Sequence, residues 1–275
     1  MALLLRLNLI TVLMTLTGCS GLFFYPQTEW VQNPARQGLD YEDVILIHKD
    51  GLRLHGWWLP AATDSPKGTV YFLHGNAQNI STHLMNVHWL PERGYQVFLL
   101  DYRGYGLSEG KARLPGAIED AQLGLDWLSR SQRVQGPLVV FGQSLGGAIA
   151  AGIMGRGQNR GKGDCVILEA AFTGYRDIMK EIMGNSWLLW PFSFVAPSLV
   201  PDQDRPIDRV AGISPRPLLI LHSREDQVIP FHHGESLYQA ASEPKLFQPL
   251  KGGHTESTQA EDVRERLLAF MEECG

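Results

Sequence analysis

Short apolar runs, rich in β-branched and aromatic side chains, alternate along this chain with longer segments in which apolar positions recur every three or four residues. The short runs are typical of buried strands, and the longer segments are typical of helices with one apolar face. This alternation predicts βα units, in which helices flank a mostly parallel sheet. We predict eight strands, at residues 44–48, 52–59, 69–74, 96–101, 138–141, 165–169, 218–222 and 245–250.

Two parts of the chain depart from the simple alternation. Only Lys49, Asp50 and Gly51 separate the first two predicted strands, which predicts an antiparallel hairpin at one edge of the sheet. Residues 184–206 carry aromatic side chains and four prolines instead of a clean period, which predicts a short cap over the strand ends. Helices are predicted at 114–131, starting near Pro115, and at 258–274, with Val263, Leu267, Leu268 and Phe270 inward.

The first residues have the pattern of an export signal. Arg6 precedes an apolar run at 7–16, which is shorter than the roughly 20 residues that a spanning helix needs. The sequence LTGC at 16–19 resembles the lipobox of bacterial lipoproteins, in which the cysteine is acylated and becomes the new N-terminus. An ordinary signal peptide or a buried N-terminal helix is the alternative.

This resemblance implies a division of the chain and a location. We expect a lipoprotein signal peptide at 1–18, an anchor and linker at 19–42, and one domain at 43–275 that includes the cap. Cys19 would carry the lipid anchor in the bacterial cell envelope. Because Ser20 rather than an aspartate follows the cysteine, we expect the outer membrane, with the domain facing the periplasm.

Composition and cysteine content narrow the possible partners. The 275 residues carry a formal net charge of −5, which provides no basic surface for polyanions, so nucleic acid is not an expected partner. If Cys19 is acylated, Cys165 and Cys274 lie in an oxidising compartment where disulfides form. Nothing local brings these two thiols together, and we expect them to be unpaired. The sequence leaves the oligomeric state open.

The stretch GQSLGG at 142–147 is the first candidate for chemistry. A Gly-x-Ser-x-Gly pattern alone is weak evidence, but a predicted strand runs directly into it and a small-residue helix follows. A tight strand-to-helix turn strains Ser144, and the flanking glycines avoid clashes around it. Ser144 also stands at a helix N-terminus, where the helix dipole favours developing negative charge. Ser144 is therefore a candidate nucleophile.

A serine nucleophile needs a histidine base. Of nine histidines, His254 is the best placed, because two glycines precede it in the loop between the last strand and the last helix. His232 and His233 are expected to be exposed at a helix start. His74, at the end of the third strand, is expected to shape the following loop.

The base in turn needs a carboxylate that orients it. Glu225 and Asp226 follow the strand at 218–222, and either acid is chemically able to orient His254. Glu169, at the end of the preceding strand, is a rival.

A tetrahedral oxyanion needs hydrogen-bond donors. We expect one at the backbone N–H of Leu145, directly after Ser144. The second is expected at the backbone N–H of Asn76, in the loop after the third strand.

Five motifs occur in order: HGNA at 74–77, DYRGYG with Ser108 at 101–108, GQSLGG, SREDQVIPFHHGESLY at 223–238 and GGHTE at 252–256. Together they resemble the α/β-hydrolase superfamily and, within it, the small hydrolases labelled serine aminopeptidase-like or Bem46-like. The resemblance runs from about Val44 to the C-terminus, apart from the cap. It implies an α/β-hydrolase fold with a mostly parallel eight-stranded sheet flanked by helices.

The resemblance also implies roles. Ser144 attacks an acyl carbonyl, His254 moves the proton, and water resolves the acyl-enzyme. Asp226 holds the imidazole. This role is assigned to Asp226 because its spacing to Val228 and Pro230 matches that in the related enzymes. No metal or organic cofactor is implied, and the sequence contains neither HExxH nor paired CxxC motifs.

We therefore expect a serine hydrolase acting on a small acyl ester or thioester. A serine peptidase is the alternative enzyme, although no carboxylate cluster marks a site for a free α-amine. A lipid-anchored binding protein with this fold and no turnover is a third hypothesis. We expect an apolar acyl site lined by Tyr102 and by the cap residues Trp187, Trp190, Phe192 and Phe194, and the alternative for the cap residues is packing against the domain.

Overall fold

Eight strands form one sheet, as the apolar runs predict. The computed structural model describes residues 24–275. In chain order the strands are β1 (Glu42–Ile47), β2 (Arg53–Leu59), β3 (Gly68–Leu73), β4 (Tyr95–Leu100), β5 (Leu138–Gln143), β6 (Cys165–Glu169), β7 (Leu218–Ser223) and β8 (Lys245–Leu250).

The sheet is mostly parallel. Its strand order is β8-β7-β6-β5-β3-β4-β2-β1, and β2 runs antiparallel to both of its neighbours, while the other five pairs are parallel. The predicted fold class and the predicted hairpin at one edge are both confirmed. The parallel strands end on the same side of the sheet, which we call the carboxyl edge, and in open α/β sheets ligands bind outside such an edge.

Helices cover both faces of this sheet. Within the described residues they are α1 (Ile80–His83), α2 (Gly116–Leu128), α3 (Leu145–Met154), α4 (Tyr175–Gly184), α5 (Pro206–Arg209), α6 (His232–Ala240) and α7 (Glu261–Glu272). Helices α2 and α7 are shorter than predicted. Pro115 caps α2 from outside, and a separate 3-10 turn, Ser257–Gln259, precedes α7.

Both faces of the central strands are buried, which explains why their sequences are continuous apolar runs. In β3, Val70 and Phe72 pack on one side of the sheet, and Tyr71 and Leu73 pack on the other. Helices α2, α3, α4 and α6 cover the Tyr71 side, and α1 and α7 cover the opposite side.

Cys165 and Cys274 form a disulfide, so the expectation of two unpaired thiols is wrong. Cys165 begins β6 and belongs to the core on the side that α7 covers. Cys274 lies two residues after the end of α7 and packs on that same core, and the Cα atoms of the two cysteines are 5.6 Å apart. The pairing depends on how α7 packs over the sheet, which is a contact between residues 109 positions apart.

The segment predicted to form a cap lies between β6 and β7 and adds no strand to the sheet. It follows α4 and contains two 3-10 turns, Trp190–Phe192 and Ala196–Leu199. In the described part of the chain, every helix is too short or too polar to cross a membrane.

The start of the described chain contacts the carboxyl edge. Tyr25–Pro26 pairs in parallel with Ala77–Gln78, which lies in the loop after β3. Phe24 is buried against Tyr105, with ring centroids 6.3 Å apart. The predicted signal peptide and Cys19 lie outside the described residues.

Candidate active site

Ser144 occupies a strained turn between β5 and α3 at the carboxyl edge. Its φ is 54° and its ψ is −117°, and such a conformation costs about 1–3 kcal/mol for a residue other than glycine. The N–H of Ser144 donates to the carbonyl oxygen of Glu169 at 2.9 Å, which ties the turn to β6. A Cβ at Gly146 would collide with the carbonyl of Leu73, so this close approach requires glycine. The serine turn predicted from GQSLGG is present.

His254 and Asp226 meet through a hydrogen bond from one loop of the carboxyl edge to another. The distance from His254 Nδ1 to Asp226 Oδ2 is 2.7 Å. Asp226 follows β7 and His254 follows β8, and these two strands are neighbours in the sheet. The left-handed φ of 94° at Gly252 lets the second loop turn back toward the first.

Both oxygens of the Asp226 carboxylate accept hydrogen bonds. Oδ1 accepts the backbone N–H groups of Val228 and Ile229, at 2.8 and 2.9 Å, while Oδ2 accepts the hydrogen bond from His254. Burial opposes ionisation, but these hydrogen bonds and the charge of His254 outweigh it, so the pKa of Asp226 is lowered. Asp226 is therefore a fixed anion that orients the imidazole.

The other two candidate acids have different partners. Glu225 is exposed, and its Oε2 accepts the N–H of Gly252 at 3.1 Å, so it braces the His254 loop. Glu169 is buried and accepts a hydrogen bond from Gln143 Nε2 at 2.6 Å. Burial raises the pKa of Glu169 despite that hydrogen bond. Of the three acids, Asp226 is the one that bonds to the His254 ring.

The loop after β3 lies beside Ser144 and is held at two successive peptides. A Cβ at Gly75 would lie 3.7 Å from the Cβ of Ser144. The carbonyl of Gly75 accepts His74 Nδ1 at 2.7 Å, and the carbonyl of Asn76 accepts the Tyr105 hydroxyl at 2.6 Å. In a trans peptide the N–H points away from the preceding carbonyl. The bond to His74 therefore fixes the direction of the Asn76 N–H.

The other predicted donor is the backbone N–H of Leu145, the first residue of α3. Helix geometry leaves the first N–H groups of a helix without an acceptor inside the helix. This N–H follows Ser144 directly, at the carboxyl edge.

A buried pair beneath the loop was not predicted from the sequence. His74 is fully buried between the rings of Tyr102 and Tyr105, and its Nε2 lies 3.6 Å from Asp101 Oδ1. Burial raises the pKa of Asp101 to about 8. Burial is the main cause that holds the pKa of His74 well below its usual value, and repulsion from His83, were that ring protonated, acts in the same direction. At neutral pH both side chains are therefore uncharged.

His83 lies outside all five sequence motifs. Its Nε2 donates to the carbonyl of Ala77 at 3.0 Å, so it braces the same loop. A Cβ at Gly75 would lie 3.3 Å from the His83 ring. Burial lowers the pKa of His83, the hydrogen bond to Ala77 opposes this shift, and repulsion from His254 adds to the lowering. The side chain is thus a neutral imidazole next to the loop.

Tyr102 does not have the environment expected of a substrate contact. Its side chain is fully buried, and its hydroxyl donates to the carbonyl of His74 at 3.2 Å. The expectation that Tyr102 lines an acyl site is therefore corrected: it supports the strand end from within. The DYRGYG motif signals this position but not its burial.

The aromatic residues of the cap lie in solvent in this structure. Trp187, Trp190, Phe192 and Phe194 are 85%, 52%, 57% and 73% exposed. Because most of their surface is exposed, these side chains do not line an acyl site and do not pack against the domain. Both expectations for the cap residues are therefore wrong for this structure.

The two histidines at the start of α6 also differ from each other. His232 is exposed, as expected, but His233 is buried. The N–H of Thr173 donates to His233 Nδ1 at 3.2 Å, and His233 Nε2 lies 3.4 Å from Glu181. Packing against the end of β6 accounts for this difference, which the pattern of the helix start does not show.

An open groove of about 400 Å³ adjoins His254. Its lining comes from the loops after β7 and β8, and consists of Glu225, Gln227, Val228, Gly252, Gly253 and His254. A substrate group in this groove would lie directly beside the imidazole.

Comparisons with known proteins identify relatives that match most of this chain. A family model described as serine aminopeptidase, S33, matches residues 64–212. The uncharacterized protein YfhR of Escherichia coli K12 is 37% identical over 257 residues, which cover 90% of this chain and 86% of that protein. The alpha/beta hydrolase domain-containing protein WAV2 of Arabidopsis thaliana is 37% identical over 220 residues, 76% of this chain and 69% of that protein.

Solved structures share the fold. The esterase Pf2001 of Pyrococcus furiosus aligns with a TM-score of 0.73 and 22% identity, covering 91% of this chain and 99% of that chain. The family match spans more than half of the sequence and includes the Ser144 turn. The chain belongs to the serine aminopeptidase S33 family of α/β-hydrolases.

Proposed function

We propose that this protein is a serine hydrolase that cleaves ester or thioester bonds through an acyl-enzyme. Membership of a hydrolase family gives the general class of reaction. The observation that carries the proposal is the 2.7 Å bond between His254 and Asp226, at the same edge as the strained Ser144 turn. A nucleophile, a base and an acid on three loops after parallel strands fit the requirements of acyl transfer.

In the proposed mechanism, Asp226 holds Nδ1 of His254 protonated, so that Nε2 is free to accept the hydroxyl proton of Ser144. Ser144 Oγ then attacks the acyl carbonyl, and the N–H groups of Leu145 and Asn76 stabilise the oxyanion. His254 returns the proton to the leaving alcohol or thiol. A water molecule, activated by the same imidazole, releases the acid and restores Ser144.

A serine peptidase is the second candidate, suggested by the family description. The acid that lines the groove beside His254 is Glu225, which would be the anchor for a free α-amine. One of its two carboxylate oxygens, Oε2, already accepts the N–H of Gly252, so only the other oxygen is free to bind an amine. We therefore favour esters and thioesters.

We further propose that the mature protein begins at an acylated Cys19 and faces the periplasm from the outer membrane. The lipobox-like LTGC sequence supports this proposal. The Cys165–Cys274 disulfide also supports it, because disulfides persist in oxidising compartments such as the periplasm. Mass analysis of the mature N-terminus should find an acylated Cys19, and the acyl mass should be absent from Cys19→Ala.

The function is tested with p-nitrophenyl esters of increasing acyl length beside aminoacyl p-nitroanilides. The proposal predicts turnover of esters by the wild-type protein and none above background by Ser144→Ala. Turnover of the anilides alone would favour the peptidase. Equal rates for wild-type protein and Ser144→Ala would refute both enzymes.

A further inference from the structure

The cap carries many exposed apolar side chains that are close together in the sequence. No charged residue occurs from 182 to 201. Single exposed apolar side chains are ordinary on protein surfaces, but a contiguous exposed patch marks a site of interaction. The exposed apolar residues of this patch are Ile182, Trp187, Leu188, Leu189, Trp190, Phe192, Phe194, Val195 and Leu199.

The patch and the start of the described chain are both connected to the carboxyl edge. The segment that contains the patch leaves the sheet at the end of β6, which is also where the Ser144 turn is tied to Glu169. Tyr25–Pro26 pairs with Ala77–Gln78, in the loop that also contains Asn76. The chain therefore enters the fold beside the candidate active site.

The position of Phe24 limits the distance between the folded domain and a lipid anchor on Cys19. Five residues lead from Cys19 to Phe24, and five residues span at most about 18 Å when fully extended. Phe24 is buried and fixed against Tyr105. An acylated Cys19 would thus hold the carboxyl edge, rather than the opposite edge of the sheet, close to the bilayer.

The chemistry of the patch fits a bilayer surface. Trp residues are enriched where the headgroups meet the hydrocarbon, and Phe and Leu side chains insert below them. Exposed Arg176 and Lys180 of α4 lie beside the uncharged segment, and the two acids of the same helix have partners of their own: Asp177 pairs with Arg205, and Glu181 contacts His232 and His233. The two cationic side chains are therefore available to anionic headgroups. Arg176 is fixed there, because its Nε donates to the carbonyl of Val200 at 2.9 Å.

We propose that the cap patch docks on the phospholipid bilayer that holds the Cys19 anchor, and that the active site takes acyl-ester or acyl-thioester amphiphiles from that bilayer. This inference rests on the proposed function for its substrate and on the proposed anchor for its orientation. The aromatic side chains of the cap enter the interfacial layer. The substrate's acyl chain stays largely in the lipid, while its ester group reaches Ser144.

The test uses the full acylated protein in vesicles of phosphatidylethanolamine and phosphatidylglycerol, with and without brominated acyl chains. Brominated lipid quenches tryptophan that enters the bilayer. The signal is assigned with Trp187→Phe/Trp190→Phe, which removes the two exposed reporters of the patch. Docking is disrupted with Phe194→Ser/Val195→Ser, which removes exposed side chains and keeps both reporters.

The matched control is Ile47→Ser/Leu246→Ser, because these side chains are also exposed, by 61% and 54%, but lie on β1 and β8 at opposite edges of the sheet. The proposal predicts quenching in the wild-type and control proteins and its loss in Phe194→Ser/Val195→Ser. That variant should also lose about tenfold or more in turnover of a long-chain ester carried in the vesicles. Turnover of soluble p-nitrophenyl acetate should be unchanged.

Several results would overturn the proposal. Absence of quenching in the wild-type protein would refute docking on the bilayer and would favour a protein partner for the patch. The proposal would also be refuted if Phe194→Ser/Val195→Ser and the control variant showed equal quenching or equal turnover of the vesicle ester. Absence of soluble-ester turnover in every protein would instead refute the proposed function, and the quenching measurement would still report on docking by itself.

Discussion

The carboxyl edge and the cap place their functional side chains in opposite environments. Asp226 has no exposed side-chain surface and accepts three hydrogen bonds, from His254, Val228 and Ile229. Trp187 is 85% exposed and lies in an uncharged segment of short turns. The first arrangement holds the carboxylate in one orientation, which the proposed acyl transfer requires. The second leaves side chains free to meet a surface.

The difference shows that apolar sequence alone does not identify the core. The runs of β3 and β5 and the cap segment are all apolar, but the strands are covered by helices on both faces and the cap is not. A substitution in the strands or at the carboxyl edge should therefore change stability or the turnover of a soluble ester, whereas the same kind of substitution in the cap should change neither of these two quantities.

The largest effect is expected for Asp226→Asn. An amide at this position is able to donate to Nδ1 and so to favour the wrong tautomer of His254, which lowers kcat by about 10⁴-fold in enzymes with such a triad. Steady-state kinetics on a soluble ester measure this loss. Glu225→Gln is the neighbouring control and should keep nearly wild-type kcat. Comparable losses in the two variants would show that Asp226 has no special role.

Removal of the disulfide should be the next largest effect. The bond closes a loop between residues 109 positions apart, and loop-closure entropy for such a length is worth about 4–5 kcal/mol. Cys274→Ser should lower the free energy of unfolding in urea by up to that amount. Reductant should lower the stability of the wild-type protein and leave the variant unchanged. Identical stability of the two oxidised proteins would argue against the bond.

Two tryptophan substitutions compare the regions directly. Trp57 is fully buried in β2 and Trp187 is 85% exposed in the cap. Trp57→Ala should cost about 3–5 kcal/mol of unfolding free energy, and Trp187→Ala should change it by no more than about 0.5 kcal/mol. Equal losses would mean that the cap is packed in solution and that the contrast between the two regions is wrong.

The smallest change per experimental step is expected in the pH dependence of stability, at about 1.4 kcal/mol per pH unit for one bound proton. Burial raises the pKa of Asp101 to about 8, whereas an aspartate in an unfolded chain has a pKa of about 3.9. Between these values the folded state binds a proton that the unfolded state has released, so the free energy of unfolding falls as the pH rises. Asp101→Asn should flatten this decline. An unchanged slope in urea titrations from pH 5 to pH 8 would contradict the assignment.

The fold could be predicted from the sequence because its signals are local. A strand buried on both faces is a continuous apolar run, and a hairpin leaves only Lys49, Asp50 and Gly51 between two strands. Gly146 also carries a local signal, since its closeness to the Leu73 carbonyl excludes a side chain. These features made the sheet, its antiparallel edge and the serine turn predictable, and the predicted Asp226 and His254 lie in contact.

Features set by long-range packing could not be predicted in the same way. The Cys165–Cys274 bond requires α7 to lie over β6, and no pattern near either cysteine shows this. The burial of Tyr102 follows from the rings around His74. The exposure of Trp187 follows from the absence of a covering element among the described residues. A run of aromatic residues has the same sequence signal whether it is buried or faces solvent.

Ser144 is the proposed activated nucleophile, and covalent labelling of its hydroxyl group is a direct test of this role. The folded protein is treated with a fluorophosphonate, digested, and mapped by mass spectrometry. We predict one adduct, on the peptide that contains Ser144, with no adduct in Ser144→Ala and much slower labelling in His254→Ala. No adduct on the folded wild-type protein, or undiminished labelling of Ser144→Ala, would contradict the role of Ser144 as the nucleophile.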